Sequence, residues 1–289
     1  MKHFINLPLS WVMRNPAWLD WFISEGICPE LGMDETALAQ DLAWHKHINH
    51  RLRHAGLACS VHLPFLTLSP ADEDAAVRER AGTLLRQAAD MAAMYGARHM
   101  IGHPGYVAVR HGYAPGEGSP VGDTPRDWWL EHSRSIWMEL PERACAPLFL
   151  ENIHDPSPVV LCSLLQALDV SGTGICFDAG HWHYFSKGKE NGDVALWIEA
   201  FAPWLEHLHL HDNNGEEDGH LGMGDGCLPF PALAASLHEH GLTPTVTYEP
   251  HTLEAFRNTA LWFRKNPLYA EIFHWLEPIW TGKPAPELL

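Results

Sequence analysis

Residues 205–226 read LEHLHLHDNNGEEDGHLGMGDG, four histidines and six carboxylates set around a strand-like alternation and a glycine-rich loop. His207, His209 and His211 alternate with apolar residues, so as a strand they share one face. Asp218 and His220 follow on a loop. A polar surface strand with a solvated acidic loop is one reading of this pattern, and metal ligation is the other. The rest of the chain decides between them.

Outward from this segment the chain repeats one rhythm. Upstream, residues 174–181 (GICFDAGH) form an apolar strand ending in Asp178 and His181, and residues 147–152 (PLFLEN) form another ending in Glu151. Helical stretches over 157–168 and 193–202 follow these strands, the first with Pro158 suited to its first turn. Residues 97–106 (ARHMIGHPGY) carry His103 at a strand end, and residues 58–65 (ACSVHLPF) carry His62, with an Ala-rich helix over 70–95 between them. Strands over 4–9 and 27–31 open the chain, the second with Glu30, and helices are expected over 17–24 and 35–54, the latter stopped by Gly56. Residues 111–126, rich in Gly and Pro, read as an active-site loop before a helix over 127–145. Downstream, a helix over 230–240 leads to a strand over 243–249 ending in Glu249, and a last long helix begins near Leu253.

Strand and helix thus alternate about eight times, with strands that read as buried on both faces, which predicts parallel strands joined by helical crossovers. Eight such units make a closed α/β barrel, a (β/α)8 TIM barrel, the expected architecture. It forms one domain over 1–289, with a C-terminal helical tail at about 266–289. The other arrangement, an open doubly wound sheet, calls for a Gly-rich turn after the first strand, and LPLSWV has none.

The formal charge of -17 argues against a nucleic acid as the routine partner, because phosphate backbones are held mainly by Lys and Arg. Six cysteines lie scattered without a CxxC pair and read as buried free thiols of a reducing compartment. The N-terminal MKHFINLPLSWVM reads as a strand rather than a signal peptide, and no run approaches the roughly 18 apolar residues of a membrane span. The expected location is cytoplasmic. His47, His50 and His54 share a helical face that reads as solvated.

Strand ends and the acidic loop together offer His62, His103, Glu151, Asp178, His181, His209, Asp218, His220 and Glu249. Nitrogen and carboxylate donors mixed in this way suit Zn, Mn, Fe or Co rather than Ca or a thiolate site. In barrels of this class the C-terminal rim of the strands carries the chemistry, so these residues converge there.

The motifs SVH at His62, GHPG at His103, LEN at Glu151, CFDAGH at Asp178 and His181, HLHD at His209, DGHLGMGDG at Asp218 and His220, and YEP at Glu249 occur in this order. In these the chain resembles the xylose isomerase-like barrels, which include sugar phosphate isomerases and epimerases and the endonuclease IV type of AP endonucleases. The resemblance implies that Glu151, Asp178, His209 and Glu249 hold a common metal. It further implies that His62 and His103 share Glu151 in a second site, and that His181, Asp218 and His220 form a third. One to three divalent ions are therefore expected, and His207 and His211 fall to supporting or packing roles.

Two enzyme readings fit this rim. In an isomerase or epimerase, Glu151 and Glu249 move a proton on the carbon next to a metal-polarised carbonyl of a sugar or sugar phosphate. In a phosphoesterase, clustered metals activate water against a phosphodiester. A metal-binding barrel without catalysis is the third possibility. The acidic charge favours a small sugar-like substrate over DNA. HDNNGEEDG contains no Arg or Lys to grip a phosphate, and Arg110 and Lys187 are distant candidates. Trp11, Glu30, Tyr106, Trp182 and Tyr184 sit near strand ends and are expected to shape the sugar pocket.

Overall fold

The computed structural model describes residues 2–65, 68, 70–72, 74–105, 126–281 and 285–286. Eight parallel strands close into a barrel in chain order: β1 (His3–Pro8), β2 (Pro29–Gly32), β3 (Ser60–His62), β4 (Met100–Gly102), β5 (Leu148–Glu151), β6 (Thr173–Asp178), β7 (Leu205–Leu210) and β8 (Thr245–Tyr248). β1 pairs with both β2 and β8, which closes the ring. Helices cross over between strands on the outside, so all strands end at the same rim.

The strands are buried on both faces, as expected, but only one face is apolar. Leu148 and Leu150, Ile175 and Phe177, Leu208 and Leu210, and Val246 and Tyr248 point outward into the main core shared with the helices. The alternate positions point into the barrel, and there Glu30, Ser60, His99, His207 and Thr247 are buried. Among the described residues the apolar part of the lumen includes Phe4, edge-on to His99, and a small cluster of Ile101, Phe149 and Cys176. A buried polar lumen is stable only if its groups find partners inside it; Ser60, Thr247 and His207 do, while Glu30 Oε1 and His99 Nε2 have no aligned one.

Capping residues moved several helix boundaries from where periodicity put them. The stretch expected as one helix over 35–54 is two, Glu35–Leu38 and Leu42–His54. The second restarts at Asp41, whose side chain accepts from the Trp44 amide at 2.7 Å. The Ala-rich helix begins at Ala75 because Asp74 caps it, and it ends at Gly96 with φ +67°, a left-handed turn that glycine accepts without strain. β6 stops at Asp178, which caps a short helix, Ala179–Tyr184. His181 therefore stands on the first turn of that helix and not at a strand end.

The tail is helical only over Pro267–Ile272 and then runs irregularly along the outside of β8 and β1. Tyr248 Oη donates to the Phe273 carbonyl at 2.7 Å, and the Leu276 amide donates to His3 Nδ1 at 2.8 Å. Phe273 and Trp275 are buried there, so the tail completes the outer core over β8 and β1. Cys28, Cys59 and Cys176 are buried free thiols as expected, whereas Cys145 and Cys227 are exposed. Among the described residues no helix is long and apolar enough to cross a membrane.

Candidate functional site

The nine candidate residues meet at the C-terminal rim. Glu151, at the end of β5, lies at their centre. Its Oε2 is 3.2 Å from His62 Nε2 and 3.1 Å from His103 Nε2, while its Oε1 is 3.1 Å from His181 Nδ1 and 3.2 Å from His209 Nδ1. His209 Nδ1 also faces Asp178 Oδ2 at 3.8 Å and Glu249 Oε1 at 3.4 Å. On the far side Asp218 Oδ2 is 3.6 Å from His181 Nε2 and 3.3 Å from His220 Nε2. Two atoms about 2.0–2.2 Å from one ion at tetrahedral corners stand about 3.3–3.6 Å apart, so the spacings of His62, His103 and His209 about Glu151 and of the Nε2 atoms of His181 and His220 about Asp218 are close to those of shared ligation, whereas His181 Nδ1 is a donor to Glu151 or to the backbone.

Local structure fixes which nitrogen each ring presents. His62 Nδ1 lies 2.9 Å from the Leu63 carbonyl, His181 Nδ1 3.0 Å from the Asn152 carbonyl, and His220 Nδ1 3.0 Å from the Glu249 carbonyl. Each ring can spend its N–H on the backbone and turn Nε2 inward, the arrangement that orients metal-ligating histidines elsewhere. Asn152 also ties two strand ends together. Its side chain donates to the Asp178 carbonyl and accepts from the Asp178 amide, both at 2.9 Å. His220 adopts a left-handed backbone, φ +42°, which the surrounding loop must hold.

Charges in this cluster depend on one another. Burial disfavours ionisation of Glu151, but the rings of His209 and His103 outweigh it and hold the carboxyl well below its usual range. Burial likewise opposes the charge of Asp218, and His181 and His220 prevail. The His209 ring resists a proton through burial, yet the acidic groups around it, Glu249 and Glu151 among them, raise it well above the ordinary histidine value. Burial pushes His103 down to about 4. A single divalent cation could take over the charge balance that several imidazole protons would otherwise supply. The donor set fits such an ion, because Asp178 Oδ2, Asp218 Oδ1 and His209 Nδ1 are buried without an aligned hydrogen-bond partner.

His211 lies nearer this cluster than a packing role implies. Its Nε2 is 3.4 Å from Asp178 Oδ1 and 3.6 Å from Asp218 Oδ1. The ring lies flat on His220, with centroids 3.8 Å apart and planes within 12°. The donor atom of His211 thus groups with those of His181, Asp218 and His220, all within 4.8 Å of one another, and it bridges the two aspartates. His251 covers the other face of His220 at 3.6 Å. Sequence reasoning passed over His251, although its place two residues after Glu249 puts it at the same rim.

A cavity of about 800 Å³ opens above the cluster, lined by His62, His103, Glu151, His181, Asp218, His220 and Glu249 together with Asn6, Trp11, Phe65 and His251. None of its described lining residues is Lys or Arg. Of the expected sugar contacts, Trp11 lines this cavity. Glu30 lies at the floor of the same cavity, fully buried, with Oε2 held by Ser60 and Thr247. Trp182 is also buried, packed on Phe177 and closed over by Gly188 and Gly192, and Tyr184 lies outside the cavity lining. Tyr106, Arg110 and most of the 111–126 loop fall outside the described residues.

Residues 28–277 match the family model of the xylose isomerase-like TIM barrel. An uncharacterized protein of Methanocaldococcus jannaschii is 27% identical over 207 residues, 65% of this chain and 63% of its own length, so the match spans less than two thirds of that relative. A probable endonuclease 4 of Mycobacterium leprae is 24% identical over 202 residues, 66% of this chain and 72% of its own. Among solved structures, a D-tagatose 3-epimerase-like protein superposes with a TM-score of 0.73 at 20% identity, covering 94% of this chain and 99% of its own, a likeness of fold. A Thermus thermophilus protein soaked with ZnCl2 superposes with a TM-score of 0.69 at 27% identity over 92% of this chain and 97% of its own. With most of its length matched by the family model, the chain belongs to the xylose isomerase-like TIM barrel family.

Proposed function

We propose that this protein is a metal-dependent isomerase or epimerase of a sugar or a sugar derivative. The observation that carries the reading is the placement of Glu151 and Glu249 on either side of His209 Nδ1, at 3.2 and 3.4 Å, beneath a roomy cavity without described Lys or Arg. Glu151, Asp178, His209 and Glu249 would hold the central ion, which when bound would supply Lewis acidity toward a substrate carbonyl. One carboxylate accepts the proton from the carbon beside that carbonyl, and the other returns a proton to it. Glu249 has fewer histidines against it than Glu151 and is the freer base. Trp11 and Phe65 cover the apolar faces of the sugar, and the polar rim takes its hydroxyls. The epimerase-like fold neighbour agrees with this reading.

A phosphodiesterase reading has its own support. The clusters His62–His103–Glu151 and His181–His211–Asp218–His220 flank the central site and could bring the ion count to three, and the Mycobacterium leprae relative is named as an endonuclease. The acidic cavity weighs against a polyanion. Solvent deuterium incorporation into a panel of ketoses and aldoses, run beside cleavage of an abasic-site oligonucleotide, separates the two. Label at the carbon next to the carbonyl is the expected result. Strand cleavage without exchange would reverse the ranking, and metal uptake with neither activity would indicate a binding protein.

A further inference from the structure

His209 is turned opposite to the other histidines of the rim. His62, His181 and His220 each have a backbone carbonyl beside Nδ1 and present Nε2 to the cluster. His209 presents Nδ1, and its Nε2 points down into the lumen. Carbonyls along β7 are committed to the neighbouring strands, so no backbone acceptor is available at that depth. The group that meets Nε2 is the carboxylate of Glu30, with Oε1 at 3.0 Å. The pair is within hydrogen-bond distance but out of line, and coordination at Nδ1 would set the final turn of the ring.

The other oxygen of Glu30 is held from below. Ser60 Oγ donates to Oε2 at 3.0 Å and Thr247 Oγ1 at 2.9 Å. Thr247 has one hydroxyl proton and gives it to Glu30, so its contact with His207 Nε2, also 2.9 Å, must be donated by the ring. His207 Nδ1 is in turn 2.6 Å from Thr245 Oγ1. Donors thus run from His207 through Thr247 to Glu30, and His209 Nε2 faces the same carboxylate as a donor from the other side; all four residues are fully buried, and only the outer Thr245 is not. We propose that Glu30 is the positioning residue of the metal centre, its carboxylate fixing the tautomer and orientation of His209 from inside the barrel while Ser60, Thr247 and His207 keep that carboxylate in place. This rests on the reading of His209 as a ligand given under Proposed function.

The test compares wild type, Glu30→Gln and Thr247→Val, each stripped and reloaded with Co²⁺, by chelator competition and by the visible Co²⁺ absorption bands. A glutamine offers one acceptor oxygen where three donors converge, so Glu30→Gln should weaken one ion by about 10- to 100-fold and alter its bands. Thr247→Val should shift both in the same direction by less. The flanking ions should keep their affinity, and the metal-free proteins should melt cooperatively. Wild-type affinity and bands in Glu30→Gln would overturn the inference while leaving the function reading intact. If Glu30→Gln does not fold, wild-type values in Thr247→Val and Ser60→Ala overturn it instead. A wild-type chain that takes up no Co²⁺ would remove the function reading and this inference together.

Discussion

Asp212 accepts a hydrogen bond from the Leu228 amide at 3.0 Å across sixteen residues, and so closes the loop that carries Asp218 and His220. The same carboxylate accepts from the amides of Gly224 and Gly226, at 2.9 and 3.0 Å, and from that of Asn213 at 2.9 Å. Reciprocal backbone bonds between Asp212 and Leu221 pin the loop midway. Asparagine would turn an NH2 toward amides that are themselves donors. Asp212→Asn should therefore cost about 2–4 kcal/mol, as for a buried acceptor that is lost, and should loosen the metal corner at Asp218. Urea melts of the metal-free protein check the first effect, and metal retention during dialysis checks the second.

Glu151 faces four imidazoles, more than any other carboxylate of the rim, and so belongs to more than one prospective ion site. Replacing it should empty more than a single position. Glu151→Gln is expected to lose more metal per chain than Asp178→Asn, and both should lose more than Glu249→Gln. Elemental analysis after reconstitution with Zn²⁺ or Mn²⁺ gives the ratio directly. Only trace transition metal in the reconstituted wild type would remove the basis of the whole ranking.

Gly180 occupies a place that only a glycine can fill. A Cβ there would run into the His211 ring, whose Nε2 lies between Asp178 and Asp218. Gly180→Ala should push that ring aside and cost about 1–3 kcal/mol by overpacking, with a larger relative loss of metal than of stability. Equal losses would mean that His211 merely packs.

How far the sequence carried the structure depends on the kind of residue. The barrel was legible because strand and helix alternate and six of the strands end in a histidine, aspartate or glutamate after an apolar run, and the ligand types at those ends do not depend on side-chain direction. Trp182 stands beside a strand end in the sequence, but the short helix after Asp178 turns it into the outer core, whereas strand parity turns Glu30 into the lumen at the floor of the cavity. His211 was undervalued although it shares the period-two face of His209. Its proximity to Asp218 depends on the fold of the 212–228 loop, which the Asp212 carboxylate builds through backbone amides that no side-chain pattern reveals.

Asp155 supplies a pH signature outside the cluster. It is buried, its Oδ2 accepts from the Ile153 amide at 2.9 Å, and its Oδ1 has no aligned partner. Burial pushes its carboxyl up to about 7, from 3.8, with only backbone amides and His181 opposing. The folded state thus keeps a proton that the unfolded chain releases, so this group's contribution to stability is complete below about pH 4 and is lost as the pH rises toward 7. The loss proceeds at up to about 1.4 kcal/mol per pH unit. Asp155→Asn keeps an acceptor for Ile153 and cannot ionise. With chelator present, the stability of wild type relative to the variant should therefore fall between pH 5 and pH 7 and level off above 7. Urea melts at pH 5, 6, 7 and 8 measure the difference, and parallel profiles would show that Asp155 ionises in the folded chain as readily as in the unfolded one.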